Sequence, residues 1–277
     1  MAVVCASIQG VWTRLSGTAE KLSASEPGPP STLAAKPTRR FGPMGLAALL
    51  FSQGFGTRRE CAARVLAGTV RVGGRPCDDP DEEFDPEGLV LTIDGRDWPV
   101  HERAVVLLHK PTGCECSLRP RHHPSVLGLL PAPLRLRGVQ PVGRLDVDTT
   151  GLLLLTDDGA LLHRLTSPRH KVPKVYEVQA RHPVTAAQLQ ALIDGVVLDD
   201  DPAPVRAVSA EATGPHALRL TITEGRYHQV KRMIAAAGNR VETLHRSAVG
   251  ALLLPADLAP GQWRWVRPEA IEPGASR

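Results

Sequence analysis

The sequence predicts an α+β protein. A small N-terminal module of two helices and a small sheet precedes a larger domain with a mixed, largely antiparallel sheet. Three observations lead there. Segments with strand character predominate, and the helices fall between them at irregular intervals with no βαβ alternation. The run Leu152-Leu153-Leu154-Leu155 is too short to span a membrane and is bounded by Gly151 and by Asp157-Asp158-Gly159, so it reads as a strand buried on both faces. The charge also shifts abruptly: residues 36–75 hold eight basic residues and one acid, Glu60, whereas residues 78–87 hold seven acids and no base.

A chain of 277 residues with 42% hydrophobic content can build one large domain and a small one without disulfides. The net charge of +4 is modest, but a basic block inside a small folded module suits a polyanion such as nucleic acid. A solvated charged face is the plainer alternative. Five cysteines is an odd number, and Cys114 and Cys116 are spaced wrongly for a zinc knuckle with no second pair following. The reading is reduced thiols in a cytoplasmic protein, with no metal and no cofactor. There is no membrane span, and the N-terminus lacks the basic and apolar regions of a secretory signal.

Residues 1–43 read as a disordered extension around Pro27-Gly28-Pro29-Pro30, or as the product of an upstream start; Arg14 and Lys21 share a feature of transit peptides. Residues 44–93 form the module. Leu46, Leu49 and Leu50 have helical spacing. Thr57 and Glu60 make a capping box for a second helix running to about Ala67, with Cys61, Val65 and Leu66 facing inward. Gly68 stops it, Val70 and Val72 alternate as a strand, Gly73-Gly74 turns, and residues 89–93 form another strand. Residues 94–103, polar and containing Pro99, read as a linker. A large domain over 104–267 follows, then a tail over 268–277. In it, residues 104–108 form a buried strand, 119–124 a basic proline-bounded loop and 125–130 a short helix. Thr185 caps a helix through Ile193, 205–208 and 218–223 are strands, and 227–237 is a helix stopped by Gly238-Asn239.

The segment Gly143-Arg144-Leu145-Asp146-Val147-Asp148-Thr149-Thr150-Gly151 joins a cation and two carboxylates to the buried leucine strand. Together with the strand it resembles the signature of pseudouridine synthases of the RsuA type. The strand end Lys110-Pro111-Thr112-Gly113 resembles that family's first motif. The module, with Arg58, Arg59, Arg64, Arg71 and Arg75 outside, is similar to the RNA-binding module named for the fourth protein of the small ribosomal subunit. The resemblance implies a catalytic Asp146, with Tyr176 stacked on the target base, Lys231 paired with the aspartate and Arg144 helping to open the RNA stack. Isomerising uridine breaks the bond from base nitrogen to ribose and rejoins the base through carbon. A carboxylate can serve as nucleophile or as stabiliser of a ribosyl cation. Arg232, with Arg58, Arg59, Arg64 and Arg71, is a candidate RNA contact, and Asp148 shapes the loop. On the helix, Val230, Ile234 and Ala237 make the inward stripe with Lys231 at its edge.

The flanks Thr166-Ser167-Pro168-Arg169-His170, Leu244-His245-Arg246 and Asp257-Leu258-Ala259-Pro260-Gly261 look closest to the branch acting on small-subunit (16S) rRNA. The expected partners are therefore 16S rRNA and a partly assembled small subunit, bound by a monomer. The same chemistry on large-subunit (23S) rRNA is the alternative, as is a non-catalytic assembly protein. A metal or glycosidase pair made by Asp146 and Asp148 lacks a third acid or histidine motif.

Overall fold

The computed structural model describes residues 42–271. The expected extension before residue 42, the tail after residue 271 and Cys5 lie outside the described residues; Cys61, Cys77, Cys114 and Cys116 are free thiols. The module consists of β1 (Met44–Gly45), α1 (Leu46–Ser52), α2 (Arg58–Leu66), β2 (Val70–Val72), β3 (Arg75–Cys77), β4 (Glu83–Phe84), β5 (Val90–Ile93) and β6 (Arg96–Pro99). The larger part begins with β7 (Val105–Lys110), α3 (Ala132–Leu136), β8 (Gln140–Pro141), β9 (Thr150–Thr156), α4 (Gly159–Thr166), β10 (Lys174–Ala180) and α5 (Ala186–Asp194). It continues through β11 (Val196–Leu198), β12 (Asp201–Val205), β13 (Ser209–Gly214), β14 (Ala217–Ile222), α6 (Gln229–Ala236), β15 (Val241–Val249), β16 (Leu252–Leu253) and β17 (Trp263–Trp265). Among the described residues no helix is long and apolar enough to cross a membrane.

In the module, the Thr57 hydroxyl accepts from the Glu60 amide at 3.3 Å and the Glu60 carboxylate accepts from the Thr57 amide at 2.7 Å, so α2 starts on a capping box. Leu46, Leu49, Leu50, Cys61 and Val65 are fully buried. Leu66, expected to face inward, is 67% exposed. One helical step past Val65 turns it by about 100° and onto the outer face. The stretch read as a linker also departs from expectation: Arg96–Pro99 is β6, paired with β5 through Leu91 and Trp98. Asp94 and Gly95 have φ of 50° and 77°, the positive pair that a two-residue hairpin turn needs.

Trp98 meets Phe55 edge-on at 5.0 Å and Trp265 at 5.4 Å, which ties the module to the large sheet. Beside them Arg137 gathers a polar joint. It donates to Asp157 at 2.8 Å, to Gln53 at 2.8 Å, and to the carbonyls of His101 and Glu102 at 2.9 Å each. Gln53 is itself fully buried.

The large sheet runs in the order β13-β14-β10-β15-β9-β7-β17, with β8 and β16 attached to β9 and β15. Its pairings are antiparallel except for β9 with β15, which is parallel, as the expected mixed sheet requires. Leu153 and Leu155 enter one core while Leu152 and Leu154 enter the other, which makes β9 a strand buried on both faces. Val205 ends β12, and residues 206–208 carry the chain to β13 instead of forming the expected strand.

Gly151 pairs with Arg246 where β9 meets β15. Its φ is 112°, and a Cβ there would lie 2.3 Å from the Arg246 carbonyl oxygen. Gly151→Ala is therefore expected to destabilise the protein by about 2–4 kcal/mol, because strain at positive φ adds to a backbone clash. Urea unfolding of the variant checks this through its midpoint.

Candidate active site

The aspartate loop runs from β8 to β9 and is held at several points. Leu145 is buried and its amide points at the Cys116 sulfur at 3.4 Å. The Val147 carbonyl accepts from the Gly113 amide at 2.8 Å. Lys110, fully buried at the end of β7, donates its ammonium to the carbonyls of Pro111 at 2.9 Å, Val147 at 3.3 Å and Thr149 at 2.9 Å. Burial lowers the Lys110 pKa, nearby thiols and the two loop carboxylates opposing it. With Leu145 pinned inward, Asp146 is turned into a cleft of about 1420 Å³ beside the sheet.

Three expected residues meet there. The Lys231 ammonium lies 3.0 Å from Asp146 Oδ2 and 2.6 Å from Asp148 Oδ1. Tyr176 stands on β10, mostly buried, and lines the same cleft. Burial pulls the Lys231 pKa down, but its bonds to Asp148 and Asp146 outweigh this and raise it. Burial likewise pushes Asp148 up, and the bonded Lys231 more than offsets it, holding the carboxyl below the usual aspartate range.

Arg144 is exposed along the cleft wall. Arg232 is turned elsewhere: its guanidinium pairs with Asp200 and donates to the Tyr227 carbonyl at 3.2 Å. Its place next to Lys231 on α6 puts it about 100° round the helix. Arg58, Arg59, Arg64 and Arg71 lie on the module. Arg58 covers the Phe51 ring at 4.7 Å, Arg64 pairs with Asp94 at 2.9 Å, and Arg71 donates to the Gly74 carbonyl at 3.1 Å.

Sequence reading missed three groups in the cleft. His228 precedes α6 with φ 47° and brings Nε2 to 3.3 Å from Asp146 Oδ1. That conformation starts α6 at Gln229, later than the expected Tyr227. Its spacing of three from Lys231 was a usable signal, since such residues share a side of the chain. Arg246 is 3% exposed, lines the cleft and donates Nε to the Leu152 carbonyl at 2.8 Å. Lys174, two residues before Tyr176, is half-buried; burial first, then Arg246, lowers its pKa. The basic loop over 119–124 is ordered by Glu115, whose carboxylate accepts the amides of Arg121 at 3.1 Å and of His122 and His123 at 2.9 Å.

Known proteins resemble this chain over most of its length. Residues 104–236 match the family model described as RNA pseudouridylate synthase. The ribosomal small subunit pseudouridine synthase A of Yersinia pestis is 42% identical over 224 residues, 79% of this chain and 94% of the relative. A Bacillus subtilis (strain 168) protein called uncharacterized RNA pseudouridine synthase YtzG is 38% identical over 82% of this chain and 97% of its own length. A crystal structure of a pseudouridylate synthase aligns with TM-score 0.58 at 34% identity, covering 83% of this chain and 98% of that one. The chain belongs to the RNA pseudouridine synthases, in the RsuA-type branch, and is thus an isomerase of uridine in RNA.

The shared ion cluster has a pH signature. Asp148 has a lowered folded pKa, so its contribution to stability is present above the unfolded value and is lost as pH falls through the folded one. Lys231 has a raised folded pKa, so its contribution is lost as pH rises through that value. In NMR titration the Asp148 carboxyl is expected to titrate below the ordinary range in the wild type and to return towards it in Lys231→Met.

Proposed function

We propose that this pseudouridine synthase modifies a uridine of small-subunit (16S) rRNA, with Asp146 as the catalytic carboxylate. The observation that carries the catalytic part is the Lys231–Asp146 contact of 3.0 Å in a cleft that Tyr176 also lines. Lys231 holds the carboxylate in place by a direct ion pair and leaves it accessible from the cleft. An anion there can add to the ribose carbon or stabilise a ribosyl cation as the base nitrogen leaves. The freed uracil turns and forms a carbon–carbon bond to the same ribose. The base carbon gives up its proton, and the former glycosidic nitrogen gains one. Tyr176 supplies the face against which a flipped uracil stacks during that turn. Arg144 helps to open the RNA stack. Arg58, Arg59, Arg64 and Arg71 on the module, with Arg232, contact the RNA backbone.

The small-subunit assignment rests on the name of the Yersinia pestis relative, whose similarity extends over module and catalytic part alike. A monomer acting in the cytoplasm on a partly assembled particle fits a target that must leave its stack, at a cost of a few kcal/mol.

The test is release of tritium from RNA labelled at uracil carbon 5, with small- and large-subunit rRNA incubated separately, with and without early-binding ribosomal proteins. Release from 16S rRNA only is expected, and release from 23S rRNA only would refute the substrate while leaving the chemistry intact. Asp146→Asn is expected to fold and bind RNA but release no tritium. Lys231→Met should lower kcat by about 10²–10³-fold, whereas Lys231→Arg should keep most of it. Substantial turnover by a correctly folded Asp146→Asn enzyme would sink the mechanism.

A further inference from the structure

Tyr227 is 72% exposed, the most exposed of the large hydrophobic side chains among the described residues, and it stands in the wall of the cleft. Exposure alone would mean little. The ring, however, is held in place. It stacks on the His228 imidazole with centroids 3.9 Å apart and planes 19° from parallel. His228 is fixed in turn by its left-handed backbone and by Asp146, 3.3 Å from Nε2. The Tyr227 carbonyl is held by Arg232 at 3.2 Å. One face of the phenol ring is thus covered by an ordered ring, and its high exposure leaves the rest open to solvent.

We propose that Tyr227 is a stacking platform for an RNA base neighbouring the target uridine, with His228 as the layer between that base and Asp146. The inference rests on the RNA-isomerase reading of this cleft and extends it to a second nucleotide. A solvent-facing aromatic fixed before binding loses little freedom when a base covers it, and unpaired RNA bases are recognised by such stacking. Tyr176 and Tyr227 then form two separate aromatic shelves around Asp146, one for the reacting base and one for its neighbour. Arg144, also in the cleft wall, is placed to meet the backbone of the same RNA.

The test uses the full chain and a short RNA covering the uridine it modifies, with 2-aminopurine placed in turn at each neighbouring position. Stacking quenches this base. Strong quenching is expected at one neighbour, lost in Tyr227→Ala and retained in Tyr227→Phe. In the tritium assay Tyr227→Ala should raise KM by about 5- to 150-fold, the equivalent of roughly 1–3 kcal/mol of base–aromatic stacking, with a smaller effect on kcat. Tyr227→Phe should restore KM. Quenching and KM that are the same in Tyr227→Ala as in the wild type would overturn the proposal. No tritium release by the wild type from any ribosomal RNA would instead remove the proposed function, and this inference with it.

Discussion

Two backbones meet at Gly151 and Arg246, and the cleft depends on that meeting. β9 pairs antiparallel with β7 and β8 but parallel with β15, and the parallel stretch is confined to Thr150 with His245 and Gly151 with Arg246. The crossing is close enough that a side chain at Gly151 would enter the Arg246 backbone. It joins the start of β9, where the aspartate loop arrives, to the strand that holds Arg246. Because β9 is buried on both faces, a slip of one residue would exchange the contents of two cores. The loop inherits that fixed register, and the buried Lys110 ammonium ties down three of the nearby carbonyls.

The electrostatics of the cleft follow from how its charges are shared. One ammonium, Lys231, serves two carboxylates, while His228 approaches the other oxygen of Asp146. Arg246 and Lys174 sit deeper and have backbone carbonyls as their hydrogen-bond acceptors. Among the described residues neither is paired with a carboxylate, which places cationic side chains in the cleft beside Asp146. A polyanionic substrate suits such a surface, and partial burial strengthens each interaction over its value in water.

Much of the site was legible because its signals are local. Caps, the leucine run and the aspartate loop each announce themselves within a dozen residues. Lys231 could be placed beside Asp146 only through family resemblance, since 85 positions separate them in the chain. The misses have equally physical causes. The polarity of residues 94–103 and Pro99 masked the Asp94-Gly95 hairpin turn, so β6 was read as linker. The left-handed residue at His228 moved the start of α6 and aimed an imidazole at Asp146. Arg246 looks like any surface arginine until its strand is placed at the centre of a sheet. For Leu66, the apolar side chain suggested a buried place that one further helical step rotated away.

The joint around Arg137 has a consequence for how the RNA is measured. Its guanidinium ties the catalytic part to Gln53 of the module and to the chain between them, in a nearly solvent-free ion pair with Asp157. Trp98 against Trp265 adds an apolar contact beside it. Two grips joined this way behave unlike two grips on a string. A flexible tether gives the second grip a broad range of positions and a tolerance for many spacings. A joint of this kind admits a narrow range of spacings between module surface and cleft. With the RNA contacts proposed for the module, such a joint makes the protein a caliper: an RNA whose phosphates and target uridine are set at another distance must bend to fit, and its stiffness becomes part of the selection.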